Sequence, residues 1–367
     1  MIKRMACVTG IIFIILLAGC GMEYKSLPEF SGSAPADVYQ DIQLPADELP
    51  HNNLSEWWYF TGHLDGAQEN PMGFEFVIFQ ANRELAPTAY AAHFAISDIG
   101  SNKFVYAERN SVTDGANANP GLNLCVGGWK LALIDSGFKI NANMPGYSLD
   151  LLAVPQKPVT LHDNDGLLDF SPYGWSYYYS YTRLQLAGVL TTDEGPKYVT
   201  GQAWMDHQWG DFVSVGTGGW DWFSLQLDDG RDFTASFVFN EDREIVMKYG
   251  TLVSEFGAVR HLTSEEFAIK ALDSWTSPTT GATYPSGWDL TVKNTNINLT
   301  LIPVMKNQEL DTRASTGQVY WEGAVEALIA GNKVGRGFVE LTGYYEGKDL
   351  INAETGQITN LCDAKSE

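Results

Sequence analysis

Two short constellations carry the residue types that acid–base chemistry needs. The first is Glu56-Trp57-Trp58-Tyr59, with His51 upstream and His63 and His93 downstream; the second is Trp204-Met205-Asp206-His207-Gln208-Trp209-Gly210, followed by Trp220-Asp221-Trp222. A carboxylate or imidazole set among several indoles is poorly solvated, which raises a carboxyl pKa and makes it a usable proton donor near neutral pH. Indole faces also stabilise nearby positive charge, so such a pocket suits a reaction that protonates an alkene and passes through a carbocation. Glu56 and Asp206 are the candidate proton donors, and His207 would orient or relay the proton. Trp57, Trp209 and Trp222 would shield the cation, with Trp58, Tyr59, His93, Tyr179 and Asp221 completing the binding set. Side chains alternate along a strand, so the adjacent Asp206 and His207 would point to opposite faces unless a bulge or turn intervenes. The competing reading makes the tryptophans packing residues and the acids strand caps. His51, His162 and His261 are expected at the surface.

Other chemistries lack their residues. No Gly-x-Ser-x-Gly elbow or His-Glu-x-x-His helix occurs, and no Cys-x-x-Cys pair offers a thiolate zinc site. The oxygen-rich His162-Asp-Asn-Asp-Gly166 loop lacks calcium-loop spacing and reads as a solvated turn. Neither a metal nor a cofactor is expected. The formal charge of −22, from 45 acidic against 23 basic residues, excludes nucleic acid as a partner.

The elements that must position these residues are strands. Of 367 residues, 44% are hydrophobic and 13% aromatic against 19% charged, which is core material for β structure rather than a disordered chain. Gly73–Gln80 and Asp232–Asn240 alternate as strands do, and each follows a similar segment, Trp57-Trp-Tyr-Phe-x-x-x-Leu-Asp-Gly66 and Trp220-Asp-Trp-Phe-x-x-x-Leu-Asp-Asp-Gly230. The second copy begins 163 residues after the first, a distance that means duplication of a whole domain. In Tyr177-Tyr178-Tyr179-Ser180-Tyr181, the odd-numbered tyrosines share one face and Tyr178 takes the other, lining a cavity or a core. The reading is all-β, with two consecutive antiparallel barrels, 48–214 and 215–360.

An address precedes the barrels. Lys3 and Arg4 are followed by a 14-residue apolar run, Met5 to Ala18, of signal-peptide length. Leu17-Ala18-Gly19-Cys20 looks like a bacterial lipobox, so residues 1–19 are expected to be removed and Cys20 to carry diacylglycerol. Gly21 rather than Asp after the cysteine points to the outer membrane, facing the periplasm, and 20–47 reads as a tether. Cys125 and Cys362 would then stand in an oxidising compartment, free or paired.

Taken together, Glu56–Leu64, Ala92–Asp98, Ser176–Ser180, Gly201–Gly210, Trp220–Gly230 and Gly337–Tyr344 resemble the AttH-like and carotenoid 1,2-hydratase (hydroxyneurosporene synthase) family. The resemblance implies two lipocalin-like barrels in one chain. Hydratases of that family add water to a terminal double bond of acyclic carotenoids without a redox cofactor; related fungal proteins shape polyketides for cycloaddition, and many bacterial relatives are labelled secreted hydrolases. A His-x-Trp pair implicated in the hydratases is matched by His207 and Trp209, whereas their Tyr-x-Asp pair has no match downstream. The expectation is a lipid-anchored, cofactor-independent, hydratase-like enzyme for a hydrophobic polyene, terpenoid or polyketide-like molecule held in an aromatic barrel cavity. The alternative is a non-catalytic carrier of such a molecule.

Overall fold

In a computed structural model, residues 40–66, 71–83, 86–113, 121–212 and 217–345 are described. The expected signal peptide, Cys20 and Cys362 lie outside them; Cys125 is disulfide-bonded.

The first sheet comprises β1 (Ser55–Gly66), β2 (Met72–Ala81), β3 (Thr88–Asp98), β4 (Lys103–Thr113), β5 (Asn123–Val126), β6 (Trp129–Ile134), β7 (Gly137–Met144), β8 (Tyr147–Pro155), β9 (Thr160–Leu161), β10 (Leu167–Asp169), β11 (Gly174–Thr192) and β12 (Gly195–Phe212). Their order is β4-β3-β2-β1-β12-β11-β8-β7-β6-β5, and the sheet curls until edge strands β4 and β5 touch. The second comprises β13 (Thr217–Leu227), β14 (Asp232–Asn240), β15 (Ile245–Val253), β16 (Val259–Leu262), β17 (Phe267–Thr276), β18 (Thr283–Val292), β19 (Asn298–Pro303), β20 (Glu309–Thr312), β21 (Gln318–Ile329) and β22 (Asn332–Thr342). Its order, β16-β15-β14-β13-β22-β21-β19-β18-β17, repeats the first topology around β13 and β22. The fold is thus all-β and antiparallel, two sheets in a lipocalin-like arrangement.

Both interiors are filled. Trp58, Phe60, Phe76, Phe94, Trp129 and Phe138 pack inside the first barrel, and Phe223, Phe233, Trp288, Leu290 and Trp321 inside the second. Each such side chain contributes about 1.5–3 kcal/mol by leaving water, so these cores hold the sheets curled. The expected ligand cavity within a barrel is therefore replaced by core. The opposite faces of β1, β2, β12, β13, β21 and β22 are buried as well, because the two barrels press against each other through Tyr59, Val77, Trp204, Trp222, Ala324 and Phe338.

Polar anchors fix this contact. Asp232 of the second barrel receives Lys157 Nζ and Arg183 Nη2 of the first, each at 2.6 Å, with Thr182 Oγ1 at 2.8 Å. Gln226 Nε2 donates to the carbonyls of Thr182 at 2.7 Å and Ala203 at 2.8 Å. His162, expected at the surface, is fully buried here, bonded to Thr251 Oγ1 at 3.1 Å and Ser180 Oγ at 2.8 Å. Its loop leads straight from β9, so the ring enters the contact while Asp163 and Asn164 stay exposed. From residue 40, the segment expected to be tether already packs on the first barrel: Ile42, Leu44 and Leu49 cover its end, and the Gln40 N–H donates to Tyr177 at 2.8 Å.

Candidate active site

Alternation along β12 decides the geometry. Trp58 lies opposite His207 and Tyr59 opposite Asp206, so His207 enters the first barrel and Asp206 faces the second. The expected grouping of Glu56, Asp206 and His207 therefore divides into two sites, one on each side of the sheet.

Inside the end of the first barrel, Glu56 and His207 bond at 2.8 Å (Oε1 to Nε2). His51 Nδ1 meets the same oxygen at 2.7 Å, while Gln80 Nε2 and the His51 N–H donate to Oε2 at 2.9 and 2.7 Å. His51 is thus half-buried rather than a surface residue, its ring stacked on Trp209 at 4.1 Å. On the other side, His207 Nδ1 lies 2.9 Å from the Tyr179 hydroxyl, which is 2.8 Å from Glu48 Oε2. Burial pushes the Glu48 carboxyl up, against the attraction of His207. Trp58 stacks on His207 at 4.8 Å. His51, Glu56 and His207 form the one His/Glu set among the described residues whose ligand atoms gather within 4.8 Å. Two donors on one metal at ordinary bond lengths stand about 3.3 Å apart; the 2.7 and 2.8 Å separations here are those of hydrogen bonds.

The second site lies between the barrels. Two adjoining cavities of about 80 and 50 Å³ share walls of Trp57, Phe79, Phe212, Trp220, Tyr320 and Glu340. Asp206 lines the larger, as do Glu75, Tyr59 and Trp222. Trp57 and Trp220 stack at 6.5 Å, and Tyr59 meets Trp222 edge-on at 5.3 Å.

The register makes this a pseudo-twofold site. Tyr59 pairs with Asp206 as Trp222 pairs with Glu340, and Ser180 pairs with Asp206 as Glu322 pairs with Glu340. Tyr178 and Tyr320 are equivalent in the same way, two residues before Ser180 and Glu322.

Asp206, Glu75 and Glu322 are out of water, Glu340 is half-buried, and all four are short of cations. Asp206 accepts from Tyr178 at 2.6 Å, Trp204 Nε1 at 2.5 Å and Ser180; burial still pushes it up to about 6, against these three bonds. Glu340 accepts from Trp220 Nε1 at 3.0 Å and is pushed up to about 7, mainly by desolvation. Glu75 is pushed up to about 8 by burial, against its bond with Tyr320, and its Oε2 has no hydrogen-bond partner. Burial, then Glu340 and Glu75, raise Glu322 well above the carboxylate range. The Tyr59 hydroxyl faces the Glu322 carboxyl and opposes this rise, though without the geometry of a full hydrogen bond.

Of the residues singled out from sequence, Trp57, Tyr59, Trp222 and Asp206 line the inter-barrel space, with His93 and Glu56 bordering its smaller cavity, while Trp58, Tyr179, Trp209 and His207 belong to the barrel end, where the Glu56 carboxyl is bonded. Asp221 joins neither. It is the second-barrel counterpart of Trp58, and the Tyr344 hydroxyl donates to it at 2.8 Å. Glu75, Glu322, Glu340, Tyr178, Tyr320 and Glu48 were missed. A lone Glu in Phe74-Glu75-Phe76-Val77-Ile78 was the available signal, since an acid in an apolar strand needs a reason. A larger cavity of about 320 Å³ opens at the far mouth of the first barrel, bordered by Asp98, Tyr147, Glu194 and Lys197. It lacks a buried acid, so chemistry rather than size selects the inter-barrel site.

The AttH-like sequence pattern matches residues 35–344. The chain belongs to the AttH-like family. Its fold is similar to that of a Nitrosomonas europaea AttH crystal structure, 31% identical, TM-score 0.76, covering 85% of this chain and 99% of that one. It is also similar to kievitone hydratase from Nectria haematococca (16%, TM-score 0.65, 87% and 97%) and to CghA (12%, TM-score 0.50, 80% and 89%). At these two lower identities the likeness is one of fold. No curated protein matches in sequence.

Proposed function

We propose that this AttH-like protein is a cofactor-independent, hydratase-like enzyme that receives the unsaturated end of a hydrophobic molecule between its barrels and protonates it. The observation that carries this reading is Glu75: a fully buried carboxyl with one oxygen free in an aromatic space, where burial pushes its pKa up to about 8. The proposed proton donor thereby shifts from Glu56 and Asp206, the two expected from sequence, to Glu75. Proton transfer from Glu75 to an alkene carbon leaves a cation on the neighbouring carbon, which the faces of Trp57, Trp220 and Trp222 stabilise. Water adds to that carbon and its proton goes to Asp206 or Glu340, so the net charge of the site is unchanged, while Glu75 is left ionised and must be reprotonated before the next turnover. The cavities hold only a few heavy atoms, so the reacting end enters and the rest of the ligand stays outside. Kinship of fold with kievitone hydratase supports the reaction class.

Glu56 and His207, bonded to each other, hold the 40–51 segment on the barrel end through His51. The same proposal makes 48–214 and 215–360 the two domains, and places the protein in a bacterial envelope, anchored by lipid on Cys20 and facing the periplasm. Palmitate labelling lost in Cys20→Ala tests the anchor. The enzymatic reading is tested with terpenoid, polyene and prenylated phenolic compounds in ¹⁸O-water. Gain of one labelled water by wild type and not by Glu75→Gln is the expected result. Compounds that bind and are recovered unchanged from both would leave a carrier instead.

A further inference from the structure

Glu75 is buried, so a proton given to a ligand must be replaced by some route. Tyr320 Oη, reaching across from the second barrel, lies 2.9 Å from Glu75 Oε1 and 2.7 Å from His93 Nδ1. His93 Nε2 is 3.0 Å from Ser315 Oγ, and Ser315 in turn donates from both its hydroxyl and its backbone N–H to Glu108 Oε2, the latter at 2.8 Å. His93 and Tyr320 are buried, whereas Glu108 is half-buried on β4.

We propose that Tyr320, His93 and Ser315 form a proton relay that reloads Glu75 from Glu108 at the protein surface. Glu108 gives its proton to Ser315 Oγ as the Ser315 proton passes to His93 Nε2. The His93 Nδ1 proton passes to Tyr320 Oη, whose own proton goes to Glu75. Each relay group ends with as many protons as it began with, His93 changes tautomer only, and one unit of charge moves from Glu75 to Glu108.

Hydrogen-bond counting supports this. A hydroxyl donates once, so if Tyr320 donates to Glu75, His93 must donate from Nδ1 and accept at Nε2; if Glu75 is the protonated partner, every direction reverses. Both arrangements satisfy all five groups with a neutral imidazole. Burial, which drives His93 down to about 3, demands that neutrality. Burial also raises Glu108, which favours its taking up a proton. The relay assigns His93, expected from sequence to bind substrate, a role in positioning and transfer. It joins groups from both barrels, so it exists only when they are docked.

The relay rests on Glu75 being the acid, and its test separates the two ideas. The infrared difference spectrum between wild type and Glu75→Gln at pH 6.5 should show a protonated-carboxyl carbonyl band belonging to Glu75, over those that Glu322 and Glu340 contribute to both proteins. On rapid transfer to D₂O this band shifts as the proton exchanges. Ser315→Ala and Glu108→Gln should keep the band but slow its exchange by roughly tenfold or more. Because Ser315→Ala removes a hydroxyl at a loop, Glu108→Gln, with Ser315 retained, guards against a folding artefact. Exchange as fast as wild type in both variants, with the band intact, overturns the relay and leaves the acid. A missing band in wild type overturns the acid and the relay with it, while turnover retained by Glu75→Gln overturns the catalytic acid and, with it, the reloading role, leaving only a path of proton exchange.

Discussion

Replacing Glu75 by Gln should make the protein more stable while removing its activity, and the size of the gain follows from where the carboxyl sits. Its pKa rises from 4.5 in the unfolded chain to about 8 in the fold, with burial as the main cause. Between these values the folded state binds the proton more tightly than the unfolded one, so stability falls as pH rises through the window. At about 1.4 kcal/mol per unit, the whole shift amounts to roughly 5 kcal/mol, of which about 3 kcal/mol has been lost by pH 7. Gln keeps an oxygen for Tyr320 and does not titrate. Denaturant unfolding of both proteins should therefore give near-equal stabilities at pH 4. A variant advantage of up to about 3 kcal/mol is expected at pH 7, and a larger one at pH 8.5. A difference that stays constant over this range, or one in which wild type gains on the variant with rising pH, would refute the assignment of a buried neutral carboxyl to Glu75.

Asp232→Ala strands the buried ends of Lys157 and Arg183 and should cost about 3–5 kcal/mol in the same unfolding measurement, loosening the barrels from each other. Tyr178→Phe removes a bond that favours ionised Asp206. The Asp206 pKa should then move above about 6, read by infrared titration of the carboxyl, and an unchanged midpoint would show that Tyr178 does not hold it down. Trp57→Ala or Trp220→Ala should weaken binding of a hydrophobic ligand by about 1–3 kcal/mol, read by calorimetry, because each opens the stacked wall. Asp221→Asn, by contrast, should leave ligand affinity unchanged, since Tyr344 and the second barrel surround that side chain.

How far the site could be read in advance depended on which side of a strand each residue occupies. The duplicated Trp57 and Trp220 segments disclosed two barrels, because a repeat is visible in one dimension. Strand alternation also separated Asp206 from His207 and Tyr178 from Tyr179, as the register bears out. What alternation cannot say is what the outward face meets. Glu75 and the paired Glu322 and Glu340 belong to sequence-distant parts of the chain whose outer faces would be wetted in a lone barrel, and acids there would be ordinary. Docking the second barrel removes that water, and the same acids become a cluster with raised pKa values. His51 and His162 were misplaced for the same reason: polar residues in loops look solvated until a neighbouring element covers them. The chemistry therefore belongs to the contact between the copies. Duplication set Tyr178 opposite Gln208 in one barrel and Tyr320 opposite Thr342 in the other. Divergence then gave the first an aspartate of its own barrel and the second a glutamate of the other. That asymmetry distinguishes a fully hydrogen-bonded carboxyl, Asp206, from a carboxyl with a free oxygen, Glu75, and so separates the group suited to accept a proton from the one suited to give it.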